Sequence, residues 1–229
     1  MAYSTVTKPG LHFNTKLYTG NASNGHAITG VGFKPDWTWL KARSQGSYDH
    51  MLFDRVRQGS DSQPFDMRSN NTNAQSSDTS GMVSFDTDGF TLNNGGYVNH
   101  SSAFVSWNWK AANSAGVANN NGTIQSTVSA NDAAGFSIIK WPGSGSAGTV
   151  GPNLCATPVL TIRKVYSGTG DWFVHTTKID GSLDFLKLNT TASKSDSSLS
   201  GFTSTTVGVT NNTSNTVLYA FRPIKGYSA

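Results

Sequence analysis

Glutamate is absent from this chain of 229 residues, and all 13 of its acidic residues are aspartate. Charged residues of every kind make up only 13% of the chain. The Ala-, Leu-, Glu- and Lys-rich surface of helices is missing, and no long window has a 3.6-residue apolar stripe, which excludes a helical bundle. Because the aspartates stand mostly at turn-like positions, a carboxylate pair tuned for acid–base catalysis is not expected. We predict no enzyme and no catalytic residue.

Cysteine is almost as scarce. Cys155 is the single cysteine, so an internal disulfide is excluded, and we expect this residue to be small, apolar and buried. The N-terminus, MAYSTVTKPG, lacks the basic start and apolar run of a signal peptide. No window approaches the roughly 18 apolar residues of a membrane span. We therefore expect a chain that is made in a reducing cytoplasm and does not insert into a membrane.

Signals for metals and nucleic acids are also weak. The five histidines include no pair at metal-ligand spacing, and Asp86 and Asp88 in FDTDGF suit a strand-ending turn better than a calcium site. The 17 lysines and arginines give a net charge of +4 but are spread along the chain. Nucleic-acid-binding proteins gather such charge on one face or segment. We predict no metal, no cofactor and no nucleic-acid partner.

Glycine is abundant, with 24 residues, and so are serine, threonine and asparagine, which is typical of many-stranded β proteins with polar loops. The segment KWPGSGSAGTVGPN (140–153) contains Gly143, Gly145 and Gly148 in the G-x-G-x-x-G spacing of dinucleotide-binding loops. Pro158 stops any helix that would follow, and no acidic residue stands about 20 positions further on. The segment is therefore predicted to be a turn between strands.

The chain repeats itself. A shift of 123 residues aligns, without a gap, Phe13 with Phe136, Gly20 with Gly143, Pro35 with Pro158 and Ser44 with Ser167. A shift of 112 residues then aligns residues 89–91 with 201–203, both reading GFT, and Val105 with Val217. The first copy is therefore longer between Ser44 and Gly89, and the turn-rich RQGSDSQPFDMRSNN is the natural place for the extra length.

This duplication predicts an all-β protein with two tandem β-sandwich, jelly-roll-like domains. The first repeat spans residues 1–112, a linker or surface loop spans 113–133, and the second repeat spans 134–229. Thr123 to Val128 alternates enough to form one strand inside the linker. A single sandwich built from both copies is the alternative.

The matched strands indicate which side chains form the core. Trp37 and Trp39 of PDWTWLK align with Leu160 and Ile162 of PVLTIRK, so apolar character is kept while aromaticity is not. A ring needed for stacking on a ligand could not be replaced by isoleucine, so these positions are predicted to face inward. The strands FVSWNWK and TVLYAFR support the same prediction for Val105, Trp107 and Trp109 and for Val217, Tyr219 and Phe221.

Six residues are candidates for a carbohydrate site. The aromatic ones lie beside Gly-rich loops, and the amides belong to the loop NNGGYVN: Tyr18, Tyr48, Trp141, Trp172, Asn94 and Asn99. The apolar face of a sugar stacks on an aromatic ring, while amides bind its hydroxyl groups. The alternative is that these rings cap the ends of the sandwiches and bind nothing.

An ordered series of motifs resembles a known group of proteins. NTKLYTGN, VGFKPDWTWLKARS, LFDRVR, FDTDGFTL, FVSWNWKA, GFSIIKW and DWFVH are similar to tandem repeat domains of virion and tail-associated proteins of tailed bacteriophages and prophages. The likeness covers nearly the whole chain. It implies a structural virion component with β-sandwich domains, assembled in the host cytoplasm. Relatives often continue into further repeats, whereas this chain ends at RPIKGYSA, which leaves room for a small accessory protein.

Two functions are compatible with these expectations. The first is a tail-fibre or tail-tip adhesin that recognises a host surface glycan through loops 19–30, 57–74 and 93–102. The second is a capsid decoration or tail-assembly protein that binds only other virion proteins. A glycan-degrading enzyme is less favoured than either. We also expect a homo-oligomer, because edge strands rich in Thr, Asn and Ser can pair across chains.

Overall fold

The protein is all-β, as the composition predicts. A computed structural model describes residues 4–210 and 212–228. They form eighteen strands, two four-residue α-helices, α1 (Arg55–Gln58) and α2 (Gly96–Asn99), and two short 3-10 turns. Neither helix in this part of the chain is long or apolar enough to cross a membrane. The chain divides into an N-terminal unit (8–70 and 75–115) and a C-terminal unit (4–7, 71–74 and the described residues from 116 onward).

Eight strands form the N-terminal unit: β1 (Phe13–Thr19), β2 (His26–Thr29), β3 (Trp37–Ala42), β4 (Met51–Asp54), β5 (Met67–Arg68), β6 (Met82–Asp86), β7 (Gly89–Leu92) and β8 (Ala103–Trp109). They make one antiparallel sheet in the order β1-β8-β3-β4-β5 and a second in the order β2-β7-β6. Leu40, Met51 and Phe53 of the first sheet pack against Phe85 and Phe90 of the second. The core of this unit therefore lies between two sheets.

The tryptophans of this unit lie on the other face of the first sheet. Leu40 belongs to the core between the sheets, and side chains alternate along a strand, so Trp37 and Trp39 point away from the second sheet. The predicted core position is confirmed for Trp37, which is fully buried, although on the face of the first sheet that points away from the second. Trp39 is half-buried on the same face. Trp37 stacks on Trp109 of the neighbouring strand with ring centroids 4.3 Å apart. Cross-strand aromatic pairs of this kind stabilise a sheet face.

Ten strands form the C-terminal unit: β9 (Val117–Asn119), β10 (Ser126–Asn131), β11 (Phe136–Trp141), β12 (Gly148–Val150), β13 (Leu160–Val165), β14 (Phe173–Thr176), β15 (Asp184–Lys187), β16 (Ser195–Asp196), β17 (Val207–Val209) and β18 (Thr216–Phe221). Eight of them form a sheet in the order β16-β15-β14-β13-β18-β11-β10-β9, and β12 pairs with β17. Ile139 and Leu218 of the large sheet pack against Val150 and Val207 of the small one.

The segment 113–133, which we expected to be a linker, contributes two strands to this sheet. Val128 of β10 pairs with Ile139 of β11, and its buried side chain joins the core of the unit. The stretch that was predicted to be a strand, Thr123 to Val128, therefore contributes the apolar side chain of Val128 to the core. Residues 140–153 behave as predicted, because this segment runs from β11 through a turn into β12 and no helix follows it.

Both units share one strand order and one register. The order β1-β8-β3-β4-β5 of the N-terminal unit is repeated by β11-β18-β13-β14-β15 of the C-terminal unit. Trp37 pairs with Trp109 in the first, and Leu160 pairs with Phe221 in the second. These are the pairs that the two sequence shifts align. Leu160 is half-buried, and Ile162 is buried.

Candidate functional site

The C-terminal unit has an open cleft where the N-terminal unit has a closed core. In the N-terminal unit, β6 completes the second sheet, and its Met82 and Phe85 cover Leu40, Met51 and Phe53. The second sheet of the C-terminal unit has only β12 and β17 among the described strands, and β16 pairs with β15 at the edge of the large sheet instead. The face of β13, β14 and β15 is left open as a cleft of about 430 Å³, the β13–β15 cleft.

The residues of this cleft occupy positions that are apolar in the other unit. Arg163 pairs with Phe173 at the place where Leu40 pairs with Met51. His175 pairs with Thr161, just as Phe53 pairs with Thr38. Leu40, Met51 and Phe53 are fully or almost fully buried in the N-terminal core. The same backbone positions therefore form a core in one unit and line a cleft in the other.

Arg163 is only 7% exposed and lines the cleft. Its guanidinium donates a hydrogen bond to the hydroxyl of Thr210, and its central carbon lies 4.9 Å from the centroid of the Phe173 ring. Burial lowers the pKa of Arg163 to about 10. Within the described part of the chain, this arginine makes no ion pair with a carboxylate, so most of its N–H donors are not used by the protein.

His175 is buried beside Arg163 among aromatic rings. The rings of Phe173, Phe185 and Phe202 lie 6.1 to 6.4 Å from its own, centroid to centroid. Burial and the positive charge of Arg163 lower the pKa of His175 to about 4. The imidazole is therefore neutral at physiological pH and presents a ring rather than a second charge.

The rim of the cleft is polar. Asp171 accepts hydrogen bonds from Lys187 at 2.7 Å and from Asn189 at 2.9 Å, and these partners hold the pKa of its carboxyl below the usual range. Hydroxyl and amide groups complete the rim: Thr169, Ser197, Ser198, Thr210 and Asn212. Such groups can donate to or accept from the hydroxyls of a ligand.

A cluster of three aspartates stands next to this rim. Asp180, Asp184 and Asp196 bring carboxylate oxygens close enough together to hold a metal ion. The ammonium of Lys194, however, contacts all three carboxylates, at 2.7 Å for Asp184 and 3.2 Å for Asp196. The cluster therefore already has a cation from the protein itself. Asp86 and Asp88 also have protein partners, since Asp86 accepts from Ser84 and Thr91 and Asp88 accepts from two backbone amides.

The two tryptophans predicted to bind a glycan are buried. Trp172 is fully buried, and Trp141 is 4% exposed in the core of the C-terminal unit. Only the edge of Trp141 reaches a second, shallow cleft of about 460 Å³, which it lines with Pro142 and Tyr166. Both rings were expected to be exposed, and this expectation is wrong. Their burial agrees with the alternative, in which they cap the ends of the sandwich. A large apolar ring next to a glycine-rich loop covers the end of the core more readily than it faces water.

Tyr18 and Asn99 are structural as well. The Tyr18 hydroxyl donates to the carbonyl of Val98 at 2.7 Å, its ring stacks on Phe104, and burial raises its pKa well above the usual range. Asn99 is fully buried and donates to Ser23 O and Asn93 O at 2.8 and 2.9 Å. It therefore fixes two of the loops that were expected to hold a glycan, rather than binding the glycan itself.

Tyr48 and Asn94 are the two remaining candidates, and both reach the surface of the N-terminal unit. Tyr48 is half-buried and contacts Tyr97 and His100, with ring centroids 5.4 and 5.8 Å apart. Asn94 is exposed, and its backbone amide donates to the side chain of Asn24. The structure therefore does not bring the six predicted residues together into one site.

Cys155 also differs from expectation, because it is exposed. Asp132 accepts a hydrogen bond from the Cys155 amide at 2.7 Å and is itself held by Arg222. These contacts keep the loop of Cys155 at the surface. Asp132 raises the pKa of the Cys155 thiol, so the thiol is a poor nucleophile at neutral pH.

The cleft residues Arg163, Phe173 and His175 were not among the predicted site residues, although a signal for Arg163 was present. The shift of 123 residues aligns Arg163 with Leu40, and a charged residue aligned with a core leucine marks a changed environment. Phe173 and His175 gave no such signal, because they lie after the first aligned stretch, which ends at Ser167, and before the second, which begins at Gly201.

Comparison with known proteins gives one match. Residues 8–229 match the family model described as a domain of unknown function, DUF7483. No curated protein and no solved structure matches the chain. Because the matched region contains every strand of both units, the chain belongs to the DUF7483 family.

Proposed function

We propose that this protein is a bacteriophage virion protein, a tail-fibre or tail-tip adhesin, which binds a host surface glycan in the β13–β15 cleft and catalyses no reaction. The observation that carries the proposal is the open cleft itself. Its floor holds Phe173, His175 and Phe185 on a sheet face that is sealed core in the other unit. The ordered sequence motifs support the virion context.

The chemistry of the cleft suits a carbohydrate. Phe185 is a half-buried ring on which the apolar face of a sugar can stack. The neighbouring Phe173 ring has the guanidinium of Arg163 and the ammonium of Lys187 over it and extends the apolar floor at its edge. Ser197, Ser198 and Thr210 surround them with short polar groups. Concave sites with an apolar floor and a few polar groups at the rim are typical of small-ligand binding.

Binding is favoured over hydrolysis at this site. A glycosidase needs one carboxylic acid with a raised pKa opposite a second carboxylate. Asp171 and Asp196, the two carboxylates of the cleft, are instead paired with Lys187 and Lys194. Hydrogen bonds from Asn189 and Lys187 lower the pKa of Asp171, which favours the charged, non-donating form of that carboxyl group.

We further propose that the two units are tandem jelly-roll-like domains from an internal duplication. The common strand order and register support the duplication. A jelly roll pairs its first strand with its eighth, its second with its seventh and its fourth with its fifth, and β1–β8, β2–β7 and β4–β5 do so here. The N-terminal unit departs from that pattern in two places, where β4 pairs with β3 instead of β7 and where β6 pairs with β7 instead of β3.

Homo-oligomerisation and contacts with other virion proteins remain part of the proposal. β1 is the edge of the five-stranded sheet, and Leu17 on this strand is 59% exposed. Its counterpart β11 is an inner strand, covered by β10. An uncovered edge strand with an exposed apolar residue is a suitable place for another chain to pair.

Glycan binding tests the proposed function. Purified protein should bind particular glycans on an array and should bind host cells, and replacing Phe173 and Phe185 with serine should abolish both. Tyr48→Ser, which removes a half-buried ring from the N-terminal unit, is the matched control and should bind normally. Indifference to glycans and host cells, together with labelling of many copies around virion heads, would instead favour the capsid-decoration or tail-assembly role.

A further inference from the structure

Arg163 differs from the other arginines in its lack of an acidic partner. Four arginines of the described chain pair with aspartate: Arg55 with Asp36 and Asp61, Arg57 with Asp54, Arg68 with Asp49 and Asp66, and Arg222 with Asp132. Arg43 is exposed. Arg163 is the buried arginine for which the described residues provide a hydroxyl and a ring but no carboxylate.

Arg68 makes the contrast sharper, because it also lies over an aromatic ring. Its guanidinium carbon is 4.8 Å from the Tyr97 centroid, close to the 4.9 Å of Arg163 from Phe173. Arg68 nevertheless has Asp49 at 3.1 Å and Asp66 at 3.5 Å. In the N-terminal unit, an arginine that lies over an aromatic ring therefore still pairs with carboxylates.

Folding alone does not explain a charge at this position. Burying an ionised group without a counter-ion is costly, and apolar residues of similar volume are often at least as stable. Leu40 fills the equivalent position in the N-terminal unit, so the sheet accepts a leucine there. The charge of Arg163 therefore points to a ligand that supplies the missing anion.

We propose that Arg163 anchors the carboxylate of an acidic sugar in the β13–β15 cleft; this rests on the proposed glycan-binding function. The planar guanidinium presents donors in a fork that matches the two oxygens of a carboxylate. Phe185, in the same cleft, holds the sugar ring next to that charge, while Phe173 supports the guanidinium itself. A group with one negative charge fits best, because the cleft offers one unpaired cation and its rim carries Asp171 and Asp196.

An array of paired glycans tests this assignment. It holds glycans with uronic or sialic acids, each beside its carboxyl-reduced form, together with sulfated glycans. Wild-type protein is expected to bind carboxylated members and to lose binding when the carboxyl is reduced to an alcohol. For the best member, Arg163→Leu should weaken binding about 10- to 100-fold, as expected for loss of a charged hydrogen-bonded pair. Arg163→Lys should restore part of the affinity.

Two controls separate ligand binding from structural roles. Arg43→Leu removes an exposed positive charge from the N-terminal unit and should leave affinity unchanged. Arg163→Leu should keep or raise the melting temperature, because it removes an uncompensated buried charge. A large loss of stability in Arg163→Leu would contradict the view that this arginine serves a ligand rather than the fold.

The possible outcomes are distinguishable. Equal binding of carboxylated and reduced glycans would overturn the role of Arg163 while the glycan-binding function stands. Binding of sulfated glycans alone would overturn the assignment of a carboxylate. Failure to bind any glycan would overturn the proposed function and this inference with it. Unchanged affinity in Arg163→Leu would show that the carboxylate of the glycan does not bind at Arg163 and would overturn the role proposed for this residue.

Discussion

At the scale of single residues, the cleft is defined by substitutions at core positions. Leu40, Met51 and Phe53 in one unit correspond to Arg163, Phe173 and His175 in the other. The first set is covered by a third strand of the opposing sheet, while the second set faces an open cleft. The change in residue type and the loss of the covering strand therefore occur at the same place, as expected if one required the other.

His175 gives a pH dependence of stability with a definite sign. Its pKa is lowered from 6.5 to about 4 in the folded protein, so the unfolded chain binds a proton more readily between these values. The stability that the neutral His175 contributes is therefore fully present above pH 6.5 and is lost as the pH falls from 6.5 towards 4. Between pH 7 and pH 5 the loss from this residue should be about 2 kcal/mol.

Urea unfolding of the wild type and of His175→Phe at both pH values measures this contribution. Phenylalanine is the residue at the equivalent position of the N-terminal unit, Phe53, so the variant should fold. The variant should lose about 2 kcal/mol less than the wild type between pH 7 and pH 5. The same pH dependence in both proteins would show that His175 is not buried as described.

At the scale of elements, helix α1 is held by buried ion pairs. Asp54 is fully buried, accepts hydrogen bonds from the amides of Val56 and Arg57, and pairs with the Arg57 side chain. It therefore caps the helix and neutralises a buried arginine at once. This arrangement explains the motif LFDRVR, in which an apolar strand ends directly at the capping aspartate.

Removal of Asp54 should be strongly destabilising. Asp54→Ala leaves the buried Arg57 without its carboxylate and should lower the free energy of unfolding by about 3–5 kcal/mol. Chemical denaturation measures this directly. The control is Asp196→Ala, which removes an exposed ion pair with Lys194 and should cost less than about 1 kcal/mol. Equal effects from both substitutions would contradict the described role of Asp54.

Some strands could be predicted from the sequence and others could not. The repeat shifts predicted β3, β8, β13 and β18 as strands, because apolar alternation and turn residues are local signals, but not which of them pair. The buried position of Trp37 was predicted, but not the face on which it lies, since alternation assigns residues to two faces and does not say which face a second sheet covers. Strands β9 and β10 were mostly missed because their residues are mainly small and polar, although they pair with each other and β10 pairs with the next strand, β11.

The candidate site was less predictable than the fold. Trp172 and Trp141 were chosen for their position beside glycines, yet burial depends on which strands cover them. The cleft arises because β16 joins the edge of the large sheet instead of the small sheet. That choice is a tertiary pairing between short polar segments, and the sequence KSDSS carries no apolar alternation that would reveal it.

At the scale of the whole molecule, two units with one strand plan have different surfaces. The N-terminal unit closes its core and leaves the edge of β1 uncovered. The C-terminal unit covers the equivalent edge with β10 and opens the β13–β15 cleft. We infer a division of roles in which one unit serves assembly and the other serves recognition.

Hydrogen–deuterium exchange with and without the tightest-binding glycan is the most direct test of this central claim. Bound glycan should slow exchange in β13, β14 and β15 and in residues 196–199, with Arg163→Leu losing the effect at the same glycan concentration. Exchange in β2, β7 and the loops 19–30 and 93–102 should not change. Protection confined to those N-terminal loops, with none in the β13–β15 cleft, would contradict the account.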